Sequence, residues 1–243
     1  MLTPKTHSGV QPKHSQSGFA NRNVLQTAHA DGIIRIWDAG HGDEIENRAT
    51  LQVDIARAVG RSADVAIAQM SMSGATGELA VGLQTGEVIV FRWGRNQYFG
   101  RDLPLEGAQA FGLEAVKDRA EPGLKEGLLP LSLLAEQHGR VTALKTSDIG
   151  FIAAGFEGGS IAVIDLRGPA VIYNEGLSGF TTNQGKRPSF RKSNSQTPDA
   201  AEWPTCLEFG VMSLDGEGKP FNPVLCAGRI RCTIPWRFGI KAC

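Results

Sequence analysis

Apolar positions along the chain fall in short runs rich in Val, Ile and Phe, broken by Gly and Asp, and the helical period is scarce. Runs of that length, bounded by turn residues, predict small antiparallel strands. One pattern returns three times: a small apolar strand, a glycine turn, then an alternating strand ending near an aromatic or an acid. The first copy, VLQTAHADGIIRIWD over 24–38, turns at Asp31-Gly32, where glycine supplies the positive φ of a tight hairpin, and closes on Trp37-Asp38. The second, ELAVGLQTGEVIVFRW over 78–93, turns at Thr85-Gly86 and sets Val88, Val90 and Arg92 against Ile89, Phe91 and Trp93. In this copy the closing aromatic is read as Trp93, and the acid is missing. The third, VTALKTSDIGFIAAGFEGGSIAVIDLR over 141–167, predicts three strands separated by turns at Ser147-Asp148 and Gly158-Gly159, the last ending at Ile164-Asp165.

Repetition of one hairpin unit predicts a repeat architecture. The fold class expected is all-β, a partial WD40 β-propeller of about three to four blades with a short helical insertion and disordered loops. Gly32, Gly86 and Gly159 lie 54 and 73 positions apart, whereas an undecorated blade takes about 40–45 residues, so insertions must absorb the excess. One is LQVDIARAVGRS, where Leu51, Ile55, Ala58 and Val59 share one side of a short helix bracing the propeller's flank. Another is the stretch 94–129, with scattered Gly, Pro and charge.

The organisation expected is an atypical leader over 1–23, propeller blades over 24–175, a disordered basic Ser-rich loop over 176–202, an incomplete blade over 203–228 and an off-pattern tail over 229–243. Paired strands are expected around 206–209 and 224–227. Beyond Gly228 the repeat stops, because no turn dipeptide follows and Pro235 stands where a ladder donor is needed.

At this length the wording itself is informative. TAHADGIIRIWDAGHGDEIEN, QMSMSGATGELAVGLQTGEVIVFRWG and GRVTALKTSDIGFIAAGFEGGSIAVIDLRGPAVIY resemble the fungal branch of the lethal giant larvae and tomosyn family, over roughly residues 24–228. The resemblance implies a chain several times longer, with two consecutive propellers and a tail, of which this would be an internal piece. It also implies a scaffold that binds plasma-membrane SNARE proteins and a Rab-type small GTPase to regulate exocytosis and cell polarity. Residues 1–23 and 229–243 depart from the family's wording, so the competing expectation is a truncated, non-functional gene-model or splicing product of such a scaffold.

Composition adds exclusions. Lys plus Arg and Asp plus Glu balance at 25 each, so no overall field draws the chain to nucleic acid, and no apolar run approaches the length that spans a bilayer. Without the apolar centre of a secretory signal, a cytoplasmic location is expected, with peripheral contact at the plasma membrane through local charge. The four cysteines, Cys206, Cys226, Cys232 and Cys243, form no CxxC pair and are expected to be reduced thiols, two of them in strands.

The usual signatures of catalysis are missing. Gly218-Lys219 is followed by Pro220 and Gly185-Lys186 by Arg187, so neither makes a phosphate-cradling loop. There is no GxSxG elbow, HExxH pair, EF-hand loop or GxGxxG after a strand. No enzyme activity, cofactor, metal or small-molecule substrate is therefore expected. The residues singled out as structural are Asp31, Gly32, Trp37, Asp38, Gly86, Trp93, Gly159 and Asp165, as turn and blade positions: Asp38 and Asp165 end strands where a carboxylate accepts backbone donors in a tight turn, and both tryptophans pack in the core or rim. His29 and His138 are expected to hydrogen-bond within blade turns.

The sharpest functional reading falls on GKRPSFRKSNS. Lys186, Arg187, Arg191 and Lys192 surround Ser189 and Ser193, a basophilic kinase target within a membrane-attracting patch. Four such cations gain about 1 kcal/mol each near acidic lipid, and phosphorylation would cancel much of it. The bland alternative is a solvated loop whose charges keep it soluble.

Overall fold

The structure is a computed structural model, and it describes residues 24–38, 51–61, 65–101, 108–135, 139–176, 203–212, 222–228 and 233–237. The three Gly-centred hairpins fall in three successive sheets, the second and third of them as middle strands. β1 (Val24–Ala28), β2 (Ile33–Asp38) and β3 (Leu51–Asp54) make the first, in that order. β4 (Ile67–Ser73), β5 (Glu78–Leu83), β6 (Val88–Arg95) and β9 (Glu126–Leu134) make the second, with the small hairpin β7 (Ala108–Ala110) and β8 (Leu113–Ala115) added outside β9. β10 (Val141–Thr146), β11 (Phe151–Phe156), β12 (Ser160–Asp165) and β13 (Ala170–Gly176) make the third. β14 (Cys206–Met212), β15 (Asn222–Gly228) and β16 (Thr233–Arg237) make the fourth. Every pairing is antiparallel.

The sheets stack face to face, which explains why the central strands are continuous apolar runs and not alternating ones: both faces are buried. From the second sheet, Leu79, Val81, Leu83, Ile89 and Phe91 pack toward Ile34, Ile36 and Val53 of the first. Their neighbours in sequence, Ala80, Val88 and Val90, point the other way, onto Ile152, Ala154, Phe156, Ala162 and Ile164 of the third sheet. The third sheet repeats the device, with Ala153, Ile161 and Val163 packing on Leu207 of the fourth. Such a run of meander sheets stacked on one another is a partial propeller of the WD40 kind, all-β as the repeats predict.

Glycine sets the close approach of neighbouring blades. A Cβ on Gly82 would lie 2.5 Å from Cγ1 of Val141, the first residue of β10. At the matching position of the next blade, a Cβ on Gly155 would collide with the ring of Pro204, which leads into β14. Polar ties fix the same interfaces. Thr146 N–H donates to Ser71 Oγ at 2.9 Å, Ser73 Oγ to Asp148 Oδ1 at 2.8 Å, and Thr142 Oγ1 to the Pro204 carbonyl at 2.6 Å.

Three expectations change. The insertion read as a helix from Leu51 is half strand: Leu51–Asp54 pairs with β2 as the blade's outer strand, and only α1 (Ile55–Val59) is helical. Asp54 marks the switch, its carboxylate capping Arg57 N–H at 3.0 Å, and Gly60 ends the helix in the left-handed region. Ile55, Ala58 and Val59 are buried, as a brace requires.

The stretch 94–129 is not a plain insertion either, since β9 pairs with β6 from Arg95↔Glu126 to Val88↔Leu134 and completes the blade. Pro130 sits beside a register shift opposite Phe91, where an irregular ladder tolerates a missing donor.

Finally, the repeat does not stop at Gly228. Thr233–Arg237 pairs with β15, with Pro235 opposite Cys226, on a strand that has a ladder partner on one side only. An edge strand holds proline because alternate backbone positions there face away from the ladder. Cys206 and Cys226 both lie in strands, Cys206 as a free thiol. Cys232 and Cys243, and the leader over 1–23, fall outside the described residues.

Candidate interaction surface

The turn residues singled out in the sequence form local hydrogen-bonded clusters. Gly32, Gly86 and Gly159 have φ of 73°, 93° and 80°. Asp31 accepts Ile33 N–H at 3.1 Å and pairs with Arg35 at 2.6 Å. That guanidinium holds the Asp31 carboxyl below its usual range. Thr27 Oγ1 sits between two rings, accepting from Trp37 Nε1 at 2.9 Å and bonding His29 Nε2 at 2.8 Å. Asp165 accepts the Arg167 N–H at 2.9 Å and its guanidinium at 2.7 Å, which lowers the carboxyl's pKa; Arg167 in turn lies 4.5 Å from the Phe151 ring centre. Because the shift is downward, the pair's contribution to stability is present at neutral pH and fades as acid protonates Asp165. The side chain of Asp38, and the whole of His138, lie outside the described residues. So do Lys186, Arg187, Ser189, Arg191, Lys192 and Ser193.

Trp93 departs from its expected role. Counting from the turn glycines, the slot held by Trp37 in the first copy belongs to Phe91 in the second and Ile164 in the third. The registers agree: Leu25↔Trp37, Leu79↔Phe91 and Ile152↔Ile164 are equivalent pairs. Phe91 is 1% exposed, whereas Trp93, two residues further on, is 53% exposed and lies outside the core. The next slot, Asp38 and Asp165 in the flanking copies, is Arg92 here, and its partner across the ladder is Glu78. Arg92 Nη2 reaches Glu78 Oε1 at 2.6 Å and the Leu166 carbonyl of the third sheet at 2.8 Å. The charge at this position is inverted and its counter-charge moves to the opposite strand.

Released from the core, Trp93 stands on the wall of a shallow cleft between β6, β9 and the connection that joins them. Leu129, Pro130 and Leu131 line it together with Trp93, Arg95, Tyr98 and Lys117. Asn96 makes the connection rigid. It is 8% exposed, its amide donates to the Glu121 and Leu124 carbonyls at 3.1 and 2.9 Å, and its Oδ1 accepts Tyr98 N–H at 2.9 Å. Lys117 opens a short 3-10 turn held by Arg119, whose guanidinium pairs with Glu114 and donates to the Ala58 and Val59 carbonyls at 3.3 and 3.0 Å, capping α1 of the neighbouring blade. Nothing in the sequence alone joins Trp93 to Lys117, since the cleft exists only because the chain leaves β6, makes β7 and β8, and returns as β9.

Among the described residues, no group of three or more His, Cys, Asp or Glu side chains converges as a metal site, and no helix is long and apolar enough to cross a membrane. What the fold presents is a set of rigid faces. A family model described as lethal giant larvae (Lgl) like, C-terminal, matches residues 64–229, which takes in the second and third sheets and the first two strands of the fourth. The chain belongs to the lethal giant larvae family. It is 36% identical over 181 residues to the Lethal(2) giant larvae protein homolog SRO77 of Saccharomyces cerevisiae, covering 70% of this chain and 18% of that protein. A match at 32% identity over 95 residues, 39% of this chain and 8% of the other, links it to the uncharacterized protein C1F3.03 of Schizosaccharomyces pombe. The chain thus spans less than a fifth of the length of these two relatives. Among solved structures, Saccharomyces cerevisiae Sqt1 aligns at 12% identity with a TM-score of 0.43, over 85% of this chain and 38% of that one.

One half-buried group gives the third sheet a spectroscopic handle. Burial, with the charge of Glu175 nearby, raises the Tyr173 hydroxyl from 10.0 to about 12. In a Tyr98→Phe background Tyr173 is the sole remaining tyrosine of two, and its phenolate absorbance is expected to rise with a midpoint near pH 12. A raised pKa means that the folded state keeps a proton the unfolded chain releases, so stability declines as pH climbs from about 10 toward 12. A midpoint near 10 would show Tyr173 to be solvated.

Proposed function

We propose that this chain is part of a non-catalytic docking scaffold that regulates exocytosis and cell polarity by binding plasma-membrane SNARE proteins and a Rab-type small GTPase at the cytoplasmic face of the membrane. The observation that carries the reading is membership of the lethal giant larvae family across 64–229. The architecture supports it. Stacked sheets with both faces buried leave strand edges, connections and clefts as the surfaces for recognition, and such folds dock other proteins on rigid faces. The carboxylates described above are tied up in turns and ion pairs rather than gathered around a pocket.

The test is a pull-down with the immobilised chain against a purified plasma-membrane SNARE and a Rab-type GTPase, the latter loaded with GTP or GDP. Capture of the SNARE, and of the GTPase in one nucleotide state, is the expected result. Retention of neither, by a chain shown to be folded by circular dichroism, would refute the reading.

A further inference from the structure

The Trp93 cleft has a chemistry of its own. Arg92, Arg95 and Lys117 supply three cations, Trp93 and Tyr98 two aromatic rings, and no carboxylate is among the residues lining it. Arg92 is neutralised by Glu78. Arg95 and Lys117 are exposed and, among the described residues, engage in no ion pair, although Glu126 faces Arg95 across the ladder and Asp118 follows Lys117. The cleft therefore offers two uncommitted positive charges, from β6 and from the 3-10 turn, beside the apolar Leu129, Pro130 and Leu131. Trp93 is 53% exposed, and its slot in the repeat is already filled by Phe91, so it is not part of the core.

We propose that this cleft docks an extended acidic segment of a partner protein, its carboxylates reaching Arg95 and Lys117 and an adjacent apolar side chain covering Trp93. Charge complementarity selects the sign of the ligand. Shape selects its class: Trp93 lines a concave cleft whose connection is pinned by Asn96, which suits an extended peptide, whereas insertion into a bilayer needs aromatic side chains projecting from a convex surface. The inference rests on the docking reading for the class of partner only; it does not require that the segment belong to a SNARE or a GTPase.

The probe is a fluorescein-labelled ten-residue peptide of alternating Glu and Leu, compared with its Gln and Leu counterpart by anisotropy against the whole chain. Saturable binding of the acidic peptide, weakened by salt and absent for the neutral one, is expected. Combined Arg95→Glu and Lys117→Glu reversal is expected to weaken it by about tenfold or more, since like-charge contacts repel, and Trp93→Ala to weaken it separately. These side chains are exposed, so circular dichroism of the variants should match the parent. Equal affinity for the two peptides, or indifference to the charge reversal, overturns the proposal. So does preferential binding of vesicles containing phosphatidylserine through the same three residues, which would assign the cleft to membrane. Peptide binding alongside failed capture of SNARE and GTPase would sink the partner assignment and leave the cleft standing, and the reverse outcome would do the opposite.

Discussion

Phe91→Ala is expected to lower the unfolding free energy by about 3–5 kcal/mol, the range for truncating a buried phenylalanine, while Trp93→Ala changes it by no more than about 0.5 kcal/mol, as for most surface positions. The contrast follows from the repeat. Phe91 is 1% exposed among Leu79, Leu128 and the apolar face of the first sheet, and its removal leaves a cavity at the interface of two blades. Trp93 is larger and lies only two residues away, yet it is 53% exposed. Urea unfolding of the two variants beside the parent decides the matter. If Trp93→Ala proved the more damaging, the slot assignment and the case for a free indole in the cleft would both be wrong.

Gly82→Ala is the second large effect. Its Cβ would be placed 2.5 Å from Cγ1 and 2.7 Å from Cβ of Val141. Those atoms sit on or next to the β10 backbone, so relief requires the third sheet to shift away from the second. Overpacking of this sort costs about 1–3 kcal/mol. The cause can be separated from a generic glycine effect by a double-mutant cycle. Val141→Ala destabilises by itself through lost burial, but in the Gly82→Ala background it also removes the clash, so the combined loss should fall short of the sum of the two. Additive losses would show that the close approach is not the source of the damage.

The parts of this fold that are legible in sequence are those with local causes. β2, β5, β6, β11 and β12 announce themselves because a glycine of positive φ and the apolar runs around it specify a hairpin within a dozen residues. The outer strands are harder. β3 reads as helix because Leu51 happens to fall in phase with Ile55, Ala58 and Val59, and only the capping carboxylate of Asp54 marks where one period gives way to the other. β9 reads in part as insertion because the stretch 94–129 carries scattered Gly, Pro and charge, and its partner β6 is separated from it by the excursion through β7 and β8. Residue type alone points to Trp93 as the repeat's aromatic. Spacing is the better signal, since five positions after each turn glycine come Trp37, Phe91 and Ile164.

The cleft was not legible at all. Its walls come from β6, from the turn after it and from the 3-10 segment, and the relation between them depends on hydrogen bonds such as those of Asn96 to the Glu121 and Leu124 carbonyls. The basic segment around Ser189 stood out by composition and lies outside the described residues.

Burial on both faces also governs how damage spreads. A sheet with one solvated side can lose its neighbour and keep half its core, whereas the second and third sheets here have no dispensable side, so each is a folding template for the next. Quasi-one-dimensional arrays of this kind lose cooperativity at interfaces, not within units. The weakest seam between two blades, and not the average quality of either, then sets the temperature at which the array comes apart.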